Sequence, residues 1–275
     1  MRRRFDRAAD GFDEFDFVHT VTRDGLLARL APMLVDARTV VDLGCATGAA
    51  YEPLRQRFRG AHIVAVDFSP RMLRRAARRR GWFSKYSLLQ ADATAIPLAD
   101  QSVDVVFCNQ LLPWISDAAA LFAEVGRILR ENGLFLFAAL GPDSLVGLRN
   151  AWQAVDAGPH VSFFPDMHNL GDAAVRAGLR DPVLDVDRLS VTYTDAAALF
   201  RDLTGSGARN SLAGRLPSLT SKQRFQRMTE ALPQAGGDRL IELDLELVYG
   251  HCWGSGPRPR DGEFHVAVDR IGRRS

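Results

Sequence analysis

Arg38 to Gly48 reads RTVVDLGCATG. Thr39 to Leu43 is a β-branched, apolar run of strand character, and Gly44, Cys45, Ala46, Thr47 and Gly48 follow it at once. A helix-like pattern then runs from Ala49 to Phe58. A strand that ends in glycines and opens into a helix brings bare backbone, and a helix N-terminus, close to a ligand. Asp67, nineteen residues after Gly48, closes a second apolar run that begins at Ile63. An acid at the end of a second strand is placed to accept hydrogen bonds from ribose hydroxyls. The pair predicts the nucleotide-binding half of a Rossmann-like fold.

Working outward, strand and helix signals alternate. Ser69-Pro70 is a helix start, and the helix runs through RMLRRAARRR to about Arg80. Ser87 to Gln90, Val103 to Cys108 and Gly133 to Leu140 read as strands, with a helix from Asp117 to Arg130 between the last two. Strand–helix repetition implies a doubly wound parallel sheet, whose ligands sit outside the carboxyl ends of the strands. Gly44 to Gly48, Asp67, Asp92 and Asn109 all fall at such ends.

After Leu140 the pattern changes. Helices are expected over Pro142–Ala157, Leu170–Gly178, Asp195–Leu203 and Ser221–Leu232, and strands over Val183–Thr192 and Leu240–His251. The last strand alternates, with Ile241, Leu243, Leu245 and Leu247 on one face. The sum is an α/β, seven-stranded sheet with helices on both faces and a helical cap over the ligand end. Four regions follow: a helical segment over 1–37, the nucleotide-binding core over 38–141, a second half over 142–253 and a tail over 254–275. The N-terminal segment either pads the sheet or closes over the glycine loop, and padding is favoured.

The 275 residues are 47% hydrophobic and 25% charged with a net charge of +2, which argues for no nucleic acid and no membrane partner. Three cysteines, without a C-x-x-C pair, fit a reducing cytoplasmic compartment and give no thiolate metal site.

The glycine spacing G-x-x-x-G after Asp42 differs from the G-x-G-x-x-G of nicotinamide dehydrogenases and resembles the first motif of class I S-adenosylmethionine (SAM) methyltransferases. VAVDFSPRML and QADATAIPLADQSVDVVFCN resemble their later motifs. The resemblance implies SAM as cofactor, held by Asp42, Gly44, Gly48, Asp67, Asp92, Ala93 and Asn109, with Met72 beside the adenine and Arg7 paired with the cofactor's carboxylate. Ala46 stands where a glycine is usual, and a negative φ there would accommodate its methyl.

The second half is more specific. AWQAVDAGPH, VTYTDAAALFRDLTGSGARN and LELVYGHCW are similar to the malonyl-acyl-carrier-protein O-methyltransferases of biotin synthesis, and FDRAADGF to their opening, with Phe12 where a tyrosine is common. The implied reaction is methyl transfer to the free carboxylate of a malonyl thioester. A carboxyl with a reference pKa of about 4 is already ionised at neutral pH, so no general base is expected. Arg209 is the candidate to grip the carboxylate, and Trp114, Trp152, His160 and Phe164 are candidates to line a tunnel for the carrier's pantetheine arm. The helix carrying Arg71, Arg74, Arg75, Arg78 and Arg79 is a candidate docking face for an acidic carrier protein. The rival expectation is a SAM-binding factor resembling the protein arginine hydroxylases of complex I assembly.

Overall fold

A computed structural model describes residues 1–81, 84–209, 220–235 and 240–256. The expected turn and tail beyond residue 256 lie outside the described residues. The strands are β1 (Thr39–Leu43), β2 (His62–Asp67), β3 (Tyr86–Gln90), β4 (Val103–Asn109), β5 (Leu129–Leu140), β6 (Arg180–Tyr193) and β7 (Ile241–Trp253). They form one seven-stranded sheet in the order β3-β2-β1-β4-β5-β7-β6. The first five are mutually parallel, and β7 runs antiparallel to both β5 and β6. Strand order reverses beside β1, so the β1 and β4 ends form the switch-point crevice where such sheets take ligands.

The helices are α1 (Arg2–Ala8), α2 (Phe17–Leu30), α3 (Tyr51–Arg57), α4 (Pro70–Ala76), α5 (Ala118–Ile128), α6 (Val146–Gln153), α7 (Met167–Arg176), α8 (Ala196–Gly205) and α9 (Lys222–Glu230). Their starts follow local chemistry. Ser69, Asp117, Asp166, Asp195 and Ser221 each accept a backbone N–H of the first turn, a cap worth about 1 kcal/mol.

The sheet is covered on both faces, which is why its central strands are predominantly apolar. On one face Phe122 of α5 meets Phe135 and Phe137 of β5, edge-on at centroid distances of 5.6 and 5.4 Å. On the other, Leu26 and Leu30 of α2 and Leu54 of α3 pack with Phe107, Leu136 and Tyr249. A third, smaller cluster gathers Trp152, Leu148, Leu199, Met228 and Leu243 beneath α6, α8 and α9. That is the core of the cap. No described helix is long and apolar enough to cross a membrane.

Candidate active site

The glycine loop is shaped by its own backbone bonds. The N–H groups of Gly44 and Cys45 both donate to the Val66 carbonyl, at 2.8 and 3.0 Å, tying the end of β1 to that of β2. The Ala46 N–H donates to Asp67 Oδ2 at 3.0 Å and the Ser69 N–H to Oδ1 at 2.8 Å. Gly44 has φ +76° and Gly48 φ +78°, values that cost glycine little. A Cβ at Gly44 would sit 3.0 Å from Leu111 Cβ; one at Gly48 would sit 2.7 Å from Tyr86 Oη and 3.0 Å from Ala76 Cβ. Ala46 has φ +45°. The negative φ that would accommodate its methyl is not the one adopted: the loop needs a left-handed residue at this point, and alanine bears that strain.

A cavity of about 300 Å³ opens beyond the loop, at the ends of β1, β2 and β4. Gly44, Ala46, Asp67, Asp92, Ala93 and Asn109 are among its walls, and Phe5, Phe12 and Trp114 among its aromatic lining. The N-terminal segment divides its work here. Helix α2 pads the sheet, whereas α1 and the turn after it close the cavity, so both of the alternatives weighed from the sequence are present. Long-range bonds hold that closure. Ser69 Oγ donates to Asp6 at 2.7 Å, the Thr47 hydroxyl to Asp13 at 2.5 Å, and Arg79 reaches both Asp13 and the Thr47 carbonyl, at 3.2 and 2.9 Å.

Three buried polar atoms lining this cavity, His19 Nδ1, Asn109 Oδ1 and Gln110 Nε2, and Asp42 Oδ2 just behind its wall make no hydrogen bond within the described residues. Such atoms are rare because each costs about 1–3 kcal/mol unsatisfied, so their convergence marks a polar ligand site. Burial and the neighbouring Asp67 charge push Asp42 up to about 7, against a partial offset from Arg23. Burial raises Asp67 to about 6, although the Ser69 and Ala46 N–H groups oppose it. Burial, with Arg23 nearby, lowers His19 to about 4, so its ring is neutral at pH 7. Two carboxylates short of countercharge, neutral donors and acceptors, and a cradle no side chain could enter fit a cationic aminoacyl nucleoside such as SAM.

A second cavity, of about 910 Å³, adjoins the first, and Trp114 lines both. Its walls are aromatic: Trp152, His160, Phe164, Phe200 and Phe225. The His160 ring stacks on Trp152 at 3.9 Å and 7°, and its Nε2 lies 2.8 Å from Asp156 Oδ1. Asp156 also receives the Gly158 N–H at 2.8 Å and Arg224 at 3.1 Å. Burial would raise this carboxyl, but those three partners hold it below the usual range. Arg7 and Arg209 line the same cavity, and Arg4 Nη1 donates to the Arg209 carbonyl at 2.5 Å.

The sequence-predicted residues therefore divide. Gly44, Asp67, Asp92, Ala93 and Asn109 line the first cavity, and Asp42 stands one residue behind its wall, 3% exposed. Arg209, Trp114, Trp152, His160 and Phe164 come together on the second. Three other expected cofactor contacts are not among the residues lining the first cavity. Arg7 lies on the second cavity, not among the residues lining the first. Met72 packs behind Phe12 in a small buried cluster. A Cβ at Gly48 would meet Tyr86 and Ala76. Sequence reasoning missed His19 and Gln110. The one available signal for His19 was its offset of seven from Phe12, which puts both on one helical face only if the chain between them is helical.

The sheet order, the glycine loop and the polar cavity define a class I SAM-dependent methyltransferase. Consistent with this, the methyltransferase-domain family profile matches residues 41–137. The fold is shared with the YcgJ protein from Bacillus subtilis (TM-score 0.61, 15% identity, 85% of this chain and 98% of that one). It is shared too with phosphoethanolamine N-methyltransferase 2 of Haemonchus contortus, solved with SAM (TM-score 0.55, 15% identity, 90% and 57%). Full-length similarity narrows the class. The malonyl-[acyl-carrier protein] O-methyltransferase of Halorhodospira halophila is 38% identical over 100% of this chain and 95% of its own. That of Laribacter hongkongensis is 38% identical over 96% and 95%. The chain belongs to the malonyl-[acyl-carrier protein] O-methyltransferase family.

Proposed function

We propose that this enzyme transfers the methyl group of SAM to the free carboxylate of a malonyl thioester borne on an acyl carrier protein. The product is the methyl ester that starts pimeloyl synthesis for biotin, and the compartment is the cytoplasm. The observation that carries this reading is the pair of cavities meeting at Trp114, one small and lined by unsatisfied polar atoms, the other large and aromatic.

When bound, SAM supplies a methyl already activated on a sulfonium. The chain's own residues then have two tasks. Asp42, His19, Asn109 and Gln110 orient the cofactor through the groups that the fold leaves without partners. Arg7 and Arg209 stand on the second cavity as cations for the acceptor carboxylate, and the aromatic walls carry the arm behind it. Neither task moves a proton, because the acceptor is ionised at neutral pH. Alignment and exclusion of water are the sources of rate, and such positioning supplies up to about 7–11 kcal/mol in favourable cases. The complex I assembly factor finds no support among these relatives.

The test is a mass-resolved assay with labelled SAM and malonyl-, succinyl- and acetyl-carrier proteins. One methyl gained on the malonyl form alone is expected. Tight SAM binding with no methyl on any carrier would overturn the reading.

A further inference from the structure

An acidic carrier must dock where its arm can enter the second cavity, and three helices border that opening. Arg4, Arg7 and Ala8 of α1, Phe200 and Leu203 of α8 and Phe225 of α9 all line it. Eight residues of these helices are cationic and three are acidic. Each acid is already engaged within the chain: Asp6 by Ser69, Asp202 by the Tyr193 hydroxyl and Glu230 by Gln226. Helix α9 buries only Met228, and Phe225, 38% exposed, stands at the opening. An exposed aromatic on helices rich in cations has the composition of a protein-binding patch for an acidic partner.

Helix α4 is differently placed. Helix α1 separates it from the second cavity, since Asp6 faces Ser69 at the start of α4 while Arg4 and Arg7 line the cavity. Three of its region's arginines serve the chain itself: Arg71 bonds the Asp6 carbonyl, Arg74 the Pro70 carbonyl and Arg79 the Thr47 carbonyl.

We infer that the carrier docks on the rim formed by α1, α8 and α9, not on α4. The inference rests on the proposed malonyl-carrier activity. Docking is electrostatic, so it is expected to act on KM and on salt dependence rather than on the chemical step.

The experiment compares malonyl-carrier protein with S-malonyl-pantetheine, which has no protein to dock. One variant reverses three exposed cations of α8 and α9, Arg201→Glu, Lys222→Glu and Arg227→Glu; the other reverses Arg75→Glu and Arg78→Glu on the α4 side. A neutral rim variant, Arg201→Gln with Lys222→Gln and Arg227→Gln, guards against misfolding. The rim reversal is expected to lower kcat/KM for the carrier substrate about tenfold or more, through KM, with the neutral variant intermediate. Turnover of S-malonyl-pantetheine stays within about twofold, and the α4 variant stays near wild type on both substrates. Unchanged carrier turnover in the rim variant, an equal loss on both substrates, or a loss confined to the α4 variant would overturn the inference. Failure of the wild type to methylate either malonyl substrate would instead overturn the activity on which it rests.

Discussion

The smaller cavity is walled by the carboxyl ends of parallel strands and closed by α1, whereas the larger one lies beneath helices that bury few residues. Around the first, His19, Asp42, Asn109 and Gln110 keep buried polar atoms without partners. Around the second, Asp156 already holds His160 and Arg224. The difference teaches what each cavity recognises. Unsatisfied buried groups give orientation and identity, and they suit a small ligand rich in polar atoms. An aromatic wall suits a long flexible arm, which needs contact area more than fixed bonds.

If the two cavities are separable units, Trp152→Ala should injure only the second. Loss of a buried tryptophan and its His160 stack is expected to cost about 3–5 kcal/mol of cap stability. Malonyl turnover should collapse while SAM affinity, read by calorimetry, stays near wild type; a parallel loss of SAM affinity would break the division. Gly48→Val strikes the other side, adding both left-handed strain and overlap with Tyr86 and Ala76. A loss of about 2–4 kcal/mol in denaturant unfolding is expected. Gly60→Ala is the control. It shares the positive φ, at +85°, but has nothing within 4 Å, so strain alone should cost about 1 kcal/mol.

Asp42→Asn sharpens the electrostatic half of the comparison. Burial pushes its folded carboxyl up to about 7, well above the ordinary aspartate range, so the native state holds the proton more tightly than the unfolded chain. That penalty is absent below about pH 4, grows as pH rises towards 7 and is constant above it. The ligand-free variant should therefore gain stability over wild type progressively across that window. SAM affinity should fall about tenfold to a hundredfold, as when a buried charged partner is lost. A stability gain independent of pH would show that Asp42 is not the titrating group. The smallest effect is expected from Ala46→Gly. Relief of left-handed strain and the added freedom of the unfolded chain nearly cancel, leaving a gain within about 1 kcal/mol by thermal melting.

The alternation of strands and helices, the glycine loop and the polar residues at strand ends were all legible in the sequence, because local periodicity and turn chemistry encode them. Parallel strands covered on both faces are predominantly apolar, and Val103 to Cys108, with Asp104 its one charge, announces that without any long-range information. The aromatic tunnel candidates were legible only through resemblance to a family.

The tertiary structure decided the rest. Arg7 stands on the second cavity and His19 on the first because Asp6 meets Ser69 across 63 residues and Asp13 meets Thr47 across 34. No pattern within one helix carries those contacts. Gly48 is a glycine for the sake of Tyr86, which arrives from two strands away. Sequence alone determined which residues sit at strand ends and in which order, since side-chain burial repeats with the local backbone period. Which cavity each side chain faces is set by packing between distant segments, and that exists only in the folded chain.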